Sequence, residues 1–346
     1  MTSALVANAL KRVIKGDNLS EELMAQALGD IMDGGASDAQ IAALLIALRM
    51  KGETVDEIAG AVNAMRSRVA AVNLAQDAPI VVDTCGTGGD GAGTFNISTA
   101  VSMVCAAAGC VVAKHGNRAI SSRVGSADVL EALGVRIDLN AAQVRTCIET
   151  VGIGFMFAPT HHAALRHAMP ARKQLGVRTL LNLLGPMTNP AGATHQLIGL
   201  FTAERLVSVA EVLARLGTRR ALVVHGEDGL DEITLGGVTH AAFLDAGEVT
   251  RLTLTPEAVG LQRADAAALA GGDAAYNAAL IRQILGGERH DAPADIVALN
   301  AGAALWVAER AEDLGAGVRL ARELLRSAKP LETLNTLAAL TQKLGP

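Results

Sequence analysis

This sequence predicts a larger α/β domain behind a small all-helical N-terminal domain, and three observations point to it. The first seventy or so residues place apolar side chains at helical spacing between hydroxyl caps and glycine stops. Near Pro79 the pattern changes to short apolar runs that alternate with helix-length segments, the signature of a largely parallel central sheet. The 346 residues are long for one compact unit and short for three, which suits two unequal domains.

The helical part is read from its punctuation. Ser20 precedes a stripe of Leu23, Met24, Ala27, Leu28, Ile31 and Met32, and Gly34-Gly35 ends it. Ser37 with Gln40, and Thr54 with Glu57, form two capping boxes. The first opens a stripe of Ile41, Leu44, Leu45 and Leu48 that stops at Gly52, and the second opens one of Ile58, Val62, Met65 and Val69. Nothing in this part carries chemistry, so it reads as a cap or dimerisation unit.

Beyond Pro79, Ile80-Val81-Val82 reads as a buried strand opening onto a glycine-rich loop. Further strands are predicted at Val111–Ala113, Phe155–Ala158, Gln196–Phe201 and Ala221–His225. Helices are predicted at Thr99–Ala108, Ala127–Leu133, Ala141–Thr150, Ala203–Leu216, Ala274–Leu285 and Ala294–Arg310. Ligands of such sheets bind beyond the carboxyl ends of the strands, so the loops after Val82, Ala113 and His225 are where chemistry is expected.

Composition removes several classes. A net charge of −5 and an aromatic content of 2% supply neither a basic footprint nor stacking rings, so no nucleic-acid partner is expected. No stretch of 18 uncharged apolar residues suits a membrane span, and the N-terminus lacks the apolar run of a signal peptide. Cys85, Cys105, Cys110 and Cys147 show no CxxC spacing and read as reduced thiols of a cytoplasmic protein.

The first loop runs Asp83-Thr84-Cys85-Gly86-Thr87-Gly88-Gly89-Asp90-Gly91-Ala92-Gly93-Thr94 and leads to Asn96-Ile97-Ser98-Thr99 at a helix start. Glycines let successive backbone N–H groups converge on phosphate oxygens, and a helix N-terminus adds unpaired donors. An isolated glycine run is equally a structural turn; the position between strand and helix favours the anion site. The loop lacks the Gly-Lys-Ser/Thr ending of a Walker loop, and its match to the dinucleotide fingerprint is only a glycine spacing. The acidic pair and threonine-glycine turn of the common phosphoribosyltransferase loop are also missing.

The second loop, Lys114-His115-Gly116-Asn117-Arg118-Ala119-Ile120-Ser121-Ser122, offers cations, an amide and hydroxyls to phosphate and sugar oxygens. A lone His115 would be structural, and Lys114 and Arg118 a solvated face, were they not clustered beside the glycine loop. Gly125-Ser126-Ala127-Asp128 follows, with Ser126 read as a helix cap. The third loop, His225 to Ile233, ends in Asp231-Glu232, an oxygen pair suited to Mg²⁺ or simply an acidic turn.

Taken together, these loops resemble the anthranilate phosphoribosyltransferase family, whose fold is shared with pyrimidine nucleoside phosphorylases. The resemblance extends through Arg172-Lys173-Gln174-Leu175-Gly176-Val177-Arg178-Thr179 into Asn182-Leu183-Leu184-Gly185-Pro186-Met187-Thr188-Asn189-Pro190 and covers nearly the whole chain. It implies a helical domain of residues 1–73, joined by helices within 162–190, and an α/β domain of residues 74–346. It implies that Gly86, Gly89, Asp90, Thr94, Asn96, Ile97, Ser98 and Thr99 line the phosphoribosyl pyrophosphate site. Lys114, His115, Gly116, Asn117, Arg118, Ala119, Ile120, Ser121, Ser122 and Ser126 would complete it. Ser98, Asp231 and Glu232 would bind Mg²⁺. Asn117 and Arg172 would hold anthranilate, with Gly86 beside it and His115, His162 and Pro186 along its channel. By itself Arg172 would read as a surface residue, although a planar guanidinium matches a benzoate carboxylate. No residue is assigned as general acid or base, and a homodimer through the helical domain is implied. Leu181 stands where an aromatic residue is common in the family, and Thr160 and His161 lie in a variable stretch.

Overall fold

The computed structural model describes residues 2–74, 80–119 and 123–345. The chain opens with four helices: α1 (Ala4–Ile14), α2 (Glu21–Met32), α3 (Asp38–Lys51) and α4 (Val55–Arg66). Both expected capping boxes form, Ser37 with Gln40 on α3 and Thr54 with Glu57 on α4. Each satisfies two backbone donors that a helix start leaves unpaired.

Then β1 (Val81–Gly86), α5 (Ile97–Ala107), β2 (Val111–Gly116), α6 (Ser126–Ala132), α7 (Ala141–Val151) and β3 (Ile153–Phe157) build one wing of the sheet. Short helices α8 (Ala158–His161), α9 (Met169–Leu175) and α10 (Leu181–Met187) follow. The second wing is β4 (His195–Gly199), α11 (Leu206–Arg215), β5 (Arg220–Gly226), β6 (Thr239–Asp245) and β7 (Glu248–Leu254). Helices α12 (Ala274–Leu285), α13 (Ala292–Val307), α14 (Leu314–Arg326) and α15 (Lys329–Leu344) close the chain.

The sheet runs β3-β2-β1-β4-β5-β6-β7. Strands β3 through β5 pair in parallel, and β6 and β7 add antiparallel at one edge. The chain therefore winds outward from β1 in one direction and returns to β4 on its other side. The β1–β4 seam is the switch point, where the loops leaving two adjacent strands diverge and open a crevice.

Residues along β4 and β5 alternate between two cores. Leu197, Leu222 and Val224 join the core under α5 and α13, whereas Ile198, Ala221 and Val223 join a second core with α11 and the N-terminal helices. A sheet buried on both faces needs apolar side chains at consecutive positions, which is why these strands read as unbroken apolar runs. Helix α9 packs on α3 and α10 on α4, so both belong to the second core.

Three readings change. The β6–β7 hairpin was not expected; its turn, Ala246-Gly247, takes positive φ at both residues (49° and 91°), as a two-residue hairpin demands. Helices α14 and α15 also went unread. Ser126 is not the cap of α6: Gly125 holds that position, and Asp128 Oδ2 accepts its N–H at 2.9 Å.

Candidate active site

The glycine loop leaves β1 at the switch point. Gly88 and Gly89 take φ of +66° and +76°, conformations that side-chain-bearing residues avoid. The Gly88 N–H donates to Asp231 Oδ2 at 2.7 Å, joining loops 143 residues apart. Asp231 reaches this point because glycines end both central strands: a Cβ on Gly86 would strike its carboxylate, and one on Gly199 its backbone carbonyl.

Around Asp231 lie Asp90 and Glu232. Burial, and next the negative charge of Asp90, push the Asp231 carboxyl up to about 7. Burial and then the charge of Asp231 push Glu232 well above the carboxylate range, opposed by Lys114 and by the Ser98 N–H that Glu232 accepts. Lys114 is 2% exposed; its Nζ donates to the Thr84 carbonyl at 2.6 Å and lies 3.5 Å from Ser98 Oγ. Among the described residues it forms no direct ion pair. A desolvated ammonium thus faces desolvated carboxylates without neutralising them, an arrangement that favours bound counter-charges.

The carboxylates fit a divalent cation, because a positive ion would offset the burial and like-charge repulsion that lift Asp231 and Glu232. No group of three or more His, Cys, Asp or Glu among the described residues forms a ready-made metal cage. Mg²⁺ takes one or two carboxylates and draws its other ligands from water and phosphate.

The other expected site residues make contacts of their own. Thr94 forms a bridge with Ala270, and Asn96 holds the Val124 carbonyl and accepts from Asn277. Ile97 and Ser98 open α5, and Thr99 is buried with its Oγ1 unpaired. Gly116 ends β2, and the Asn117 carbonyl accepts from Ser126 Oγ at 3.3 Å. Ala119 N–H donates to Asp128. Arg118 pairs with Asp128 and Glu131 and lies over the Phe157 ring, so here it braces the loop on α6. Ile120, Ser121 and Ser122 lie outside the described residues.

His115 and His162 form a second cluster. The His115 and His162 rings stand 4.9 Å apart, and buried nitrogens on both are unpaired. Burial pulls His115 down to about 3 and His162 to about 4, so both are neutral near pH 7. The Gly185 backbone, next to Pro186, hydrogen-bonds His115. Arg172 stands on α9, where burial lowers its pKa and no carboxylate pairs with it among the described residues. An arginine so placed suits an incoming carboxylate. It makes no hydrogen bond to the histidine pair among the described residues.

Sequence reasoning assigned no role to Asp83, Asn189 or Arg178. Asp83 is fully buried; it accepts from Asn189 Nδ2 at 2.7 Å and from the His115 N–H at 3.2 Å, locking β1 to β2. Asn189 also donates to the Ala113 carbonyl at 2.8 Å. An acid inside the apolar run before the glycine loop was the available signal, since buried acids need partners. Arg178 offered none, because its contacts lie far away in the chain.

Residues 78–331 match the a/b domain of the glycosyl transferase family, and residues 7–69 match that family's helical bundle domain. Fold and site thus define a two-domain glycosyl transferase. The chain is 51% identical to the anthranilate phosphoribosyltransferase of Alkalilimnicola ehrlichii, over 97% of this chain and 98% of that one. It is likewise 51% identical to that of Rubrobacter xylanophilus, over 99% of each. The crystal structure of the Thermus thermophilus enzyme superposes with a TM-score of 0.91 at 46% identity, covering 96% of this chain and 99% of that one. The Saccharomyces cerevisiae enzyme in complex with PRPP and Mg shares the fold, with a TM-score of 0.89 at 24% identity over 99% of each chain. The chain belongs to the anthranilate phosphoribosyltransferase family.

Proposed function

We propose that this chain transfers the phosphoribosyl group of 5-phosphoribosyl 1-pyrophosphate to the amine of anthranilate, a step of tryptophan biosynthesis. The carrying observation is the convergence of the glycine loop, buried Lys114 and the Asp231–Glu232 pair on one switch-point crevice. The amine nitrogen bonds to the ribose C1 as the C1–oxygen bond breaks, and that electron pair leaves with pyrophosphate. The nitrogen then sheds its proton. An aromatic amine is already neutral near pH 7, so positioning and charge stabilisation carry the reaction. Loop amides, Lys114 and the hydroxyls of α5 hold the diphosphate. Ser98, Asp231 and Glu232 would hold Mg²⁺, which when bound offsets the charge gathering on the leaving pyrophosphate. Arg172 takes the acceptor's carboxylate, while His115 and His162 flank its ring.

The reading includes a homodimer through a helical unit of residues 1–73 and the helices within 162–190. What supports it is an apolar groove on α1, α3 and α9 lined by Leu10, Ile14, Ile46, Met50 and Leu175, with Met50 83% exposed. Light scattering of Met50→Lys should report monomers. No helix among the described residues is long and apolar enough to cross a membrane, and the protein is read as cytoplasmic.

The deciding assay follows loss of anthranilate fluorescence with the donor and Mg²⁺, beside thymidine phosphorolysis and a DNA shift. Fluorescence loss alone is expected. Phosphorolysis or a shift without it would overturn the reading.

A further inference from the structure

The segment between α9 and α10 carries a side chain that reaches the donor loop from beside the acceptor-bearing helices. Arg178 lies three residues past the end of α9, which bears Arg172, and just before α10, which bears Gly185 and Pro186. Its guanidinium sits 4.2 Å over the Phe201 ring, and its Nη2 donates to the Gly89 carbonyl of the glycine loop. Phe201 is tied to the same loop, for its N–H donates to Thr87 Oγ1 at 3.2 Å. From the other side, Arg49 of α3 donates to the Arg178 carbonyl at 2.6 Å. A continuous path therefore runs from α3 through Arg178 to Gly89.

We propose that Arg178 is a positioning residue that couples the acceptor-bearing helices to the donor loop, so that occupancy of one substrate site strengthens binding at the other. This rests on the functional reading above. The peptide after Gly89 is planar and trans, so its carbonyl and the Asp90 N–H point in opposite directions. Fixing the Gly89 carbonyl on Arg178 thereby fixes the direction of a loop donor. Gly89 also follows Gly88, whose N–H is held by Asp231, so a shift at Arg178 reaches the acidic pair within two residues. Arginine suits this post because its flat face stacks on a ring while its edge donates in the plane. A lysine keeps the charge and loses that combination.

The test measures binding of Mg²⁺–phosphoribosyl pyrophosphate by calorimetry, with and without saturating benzoate. Benzoate offers the acceptor's ring and carboxylate but has no amine to react. In the unaltered protein benzoate should tighten the donor by about five-fold or more, a usual size for coupled sites. In Arg178→Ala that ratio should fall to one, while benzoate alone binds as before. Arg178→Lys should restore it only in part, and this variant carries the test should Arg178→Ala fail to fold. A retained ratio in either folded variant, even with a weaker donor, would reduce Arg178 to structural support and overturn the proposal. A ratio of one in the unaltered protein would overturn it too. Failure of the unaltered protein to bind the donor at all would instead remove the functional reading.

Discussion

The helical bundle and the switch-point crevice each set a lysine beside buried carboxylates, and they treat it in opposite ways. In the bundle, Glu57 is fully buried yet satisfied: it accepts from the Leu19 N–H, the Thr54 N–H and Lys51 Nζ, all at 2.8–2.9 Å. In the crevice, Lys114 donates to a carbonyl, while burial, and then the charge of Asp90 on Asp231 and of Asp231 on Glu232, lift both carboxyls above their ordinary range. A closed network holds a fold together; an open one stores unfavourable electrostatics that a ligand can relieve. Burial of charge alone therefore marks neither function nor structure. What separates the two cases is whether the protein supplies the partner.

That contrast can be broken at four points. Replacing Asp231 and Glu232 by Ala should cost turnover about a thousand-fold or more while leaving the fold intact. Steady-state rates at limiting Mg²⁺ check it, and normal turnover would take both residues out of the metal role. Glu57→Ala should do the reverse: a loss of about 3 kcal/mol in urea unfolding, with kcat/KM per folded molecule unchanged. Arg172→Ala should raise the anthranilate KM about ten-fold or more and the donor KM far less; equal effects would contradict its placement.

The smallest effect concerns acid. His115 and His162 are held neutral, with folded-state values of about 3 and about 4 against an ordinary 6.5. Below 6.5 the unfolded chain takes up protons that the folded chain refuses, so stability falls as pH drops and levels off near those lower values. Thermal melts between pH 6.5 and 5 should show the fall, and His162→Gln should reduce it by about 1–2 kcal/mol. An unchanged slope would mean that this ring titrates freely in the folded protein.

Much of the crevice was legible because its parts are local. A glycine run between a strand and a helix, a basic run after Ala113 and an acidic pair after a buried strand each reveal their chemistry within about ten residues. The bundle was legible for the same reason, through its two capping boxes. The β6–β7 hairpin was missed because its first strand, Thr-His-Ala-Ala-Phe-Leu-Asp, is alanine-rich and its turn is Ala-Gly. Alanine carries little strand preference, and Ala-Gly is a weak turn signal. The locking role of Asp83 was hidden because it depends on Asn189, 106 residues away.

The sequence by itself determined the N-terminal helices with their two capping boxes, the parallel strands, the three loops and the chemistry each could offer, since all of these follow from neighbours along the chain. Only the tertiary structure decided which groups meet. It placed Asp231 against Gly88 across a seam that Gly86 and Gly199 keep open, turned Arg118 outward onto α6, and laid Arg178 between Phe201 and Gly89. The reason is strand order: β1 lies beside β4, and that adjacency comes from burying both faces of one sheet, a constraint no local window contains.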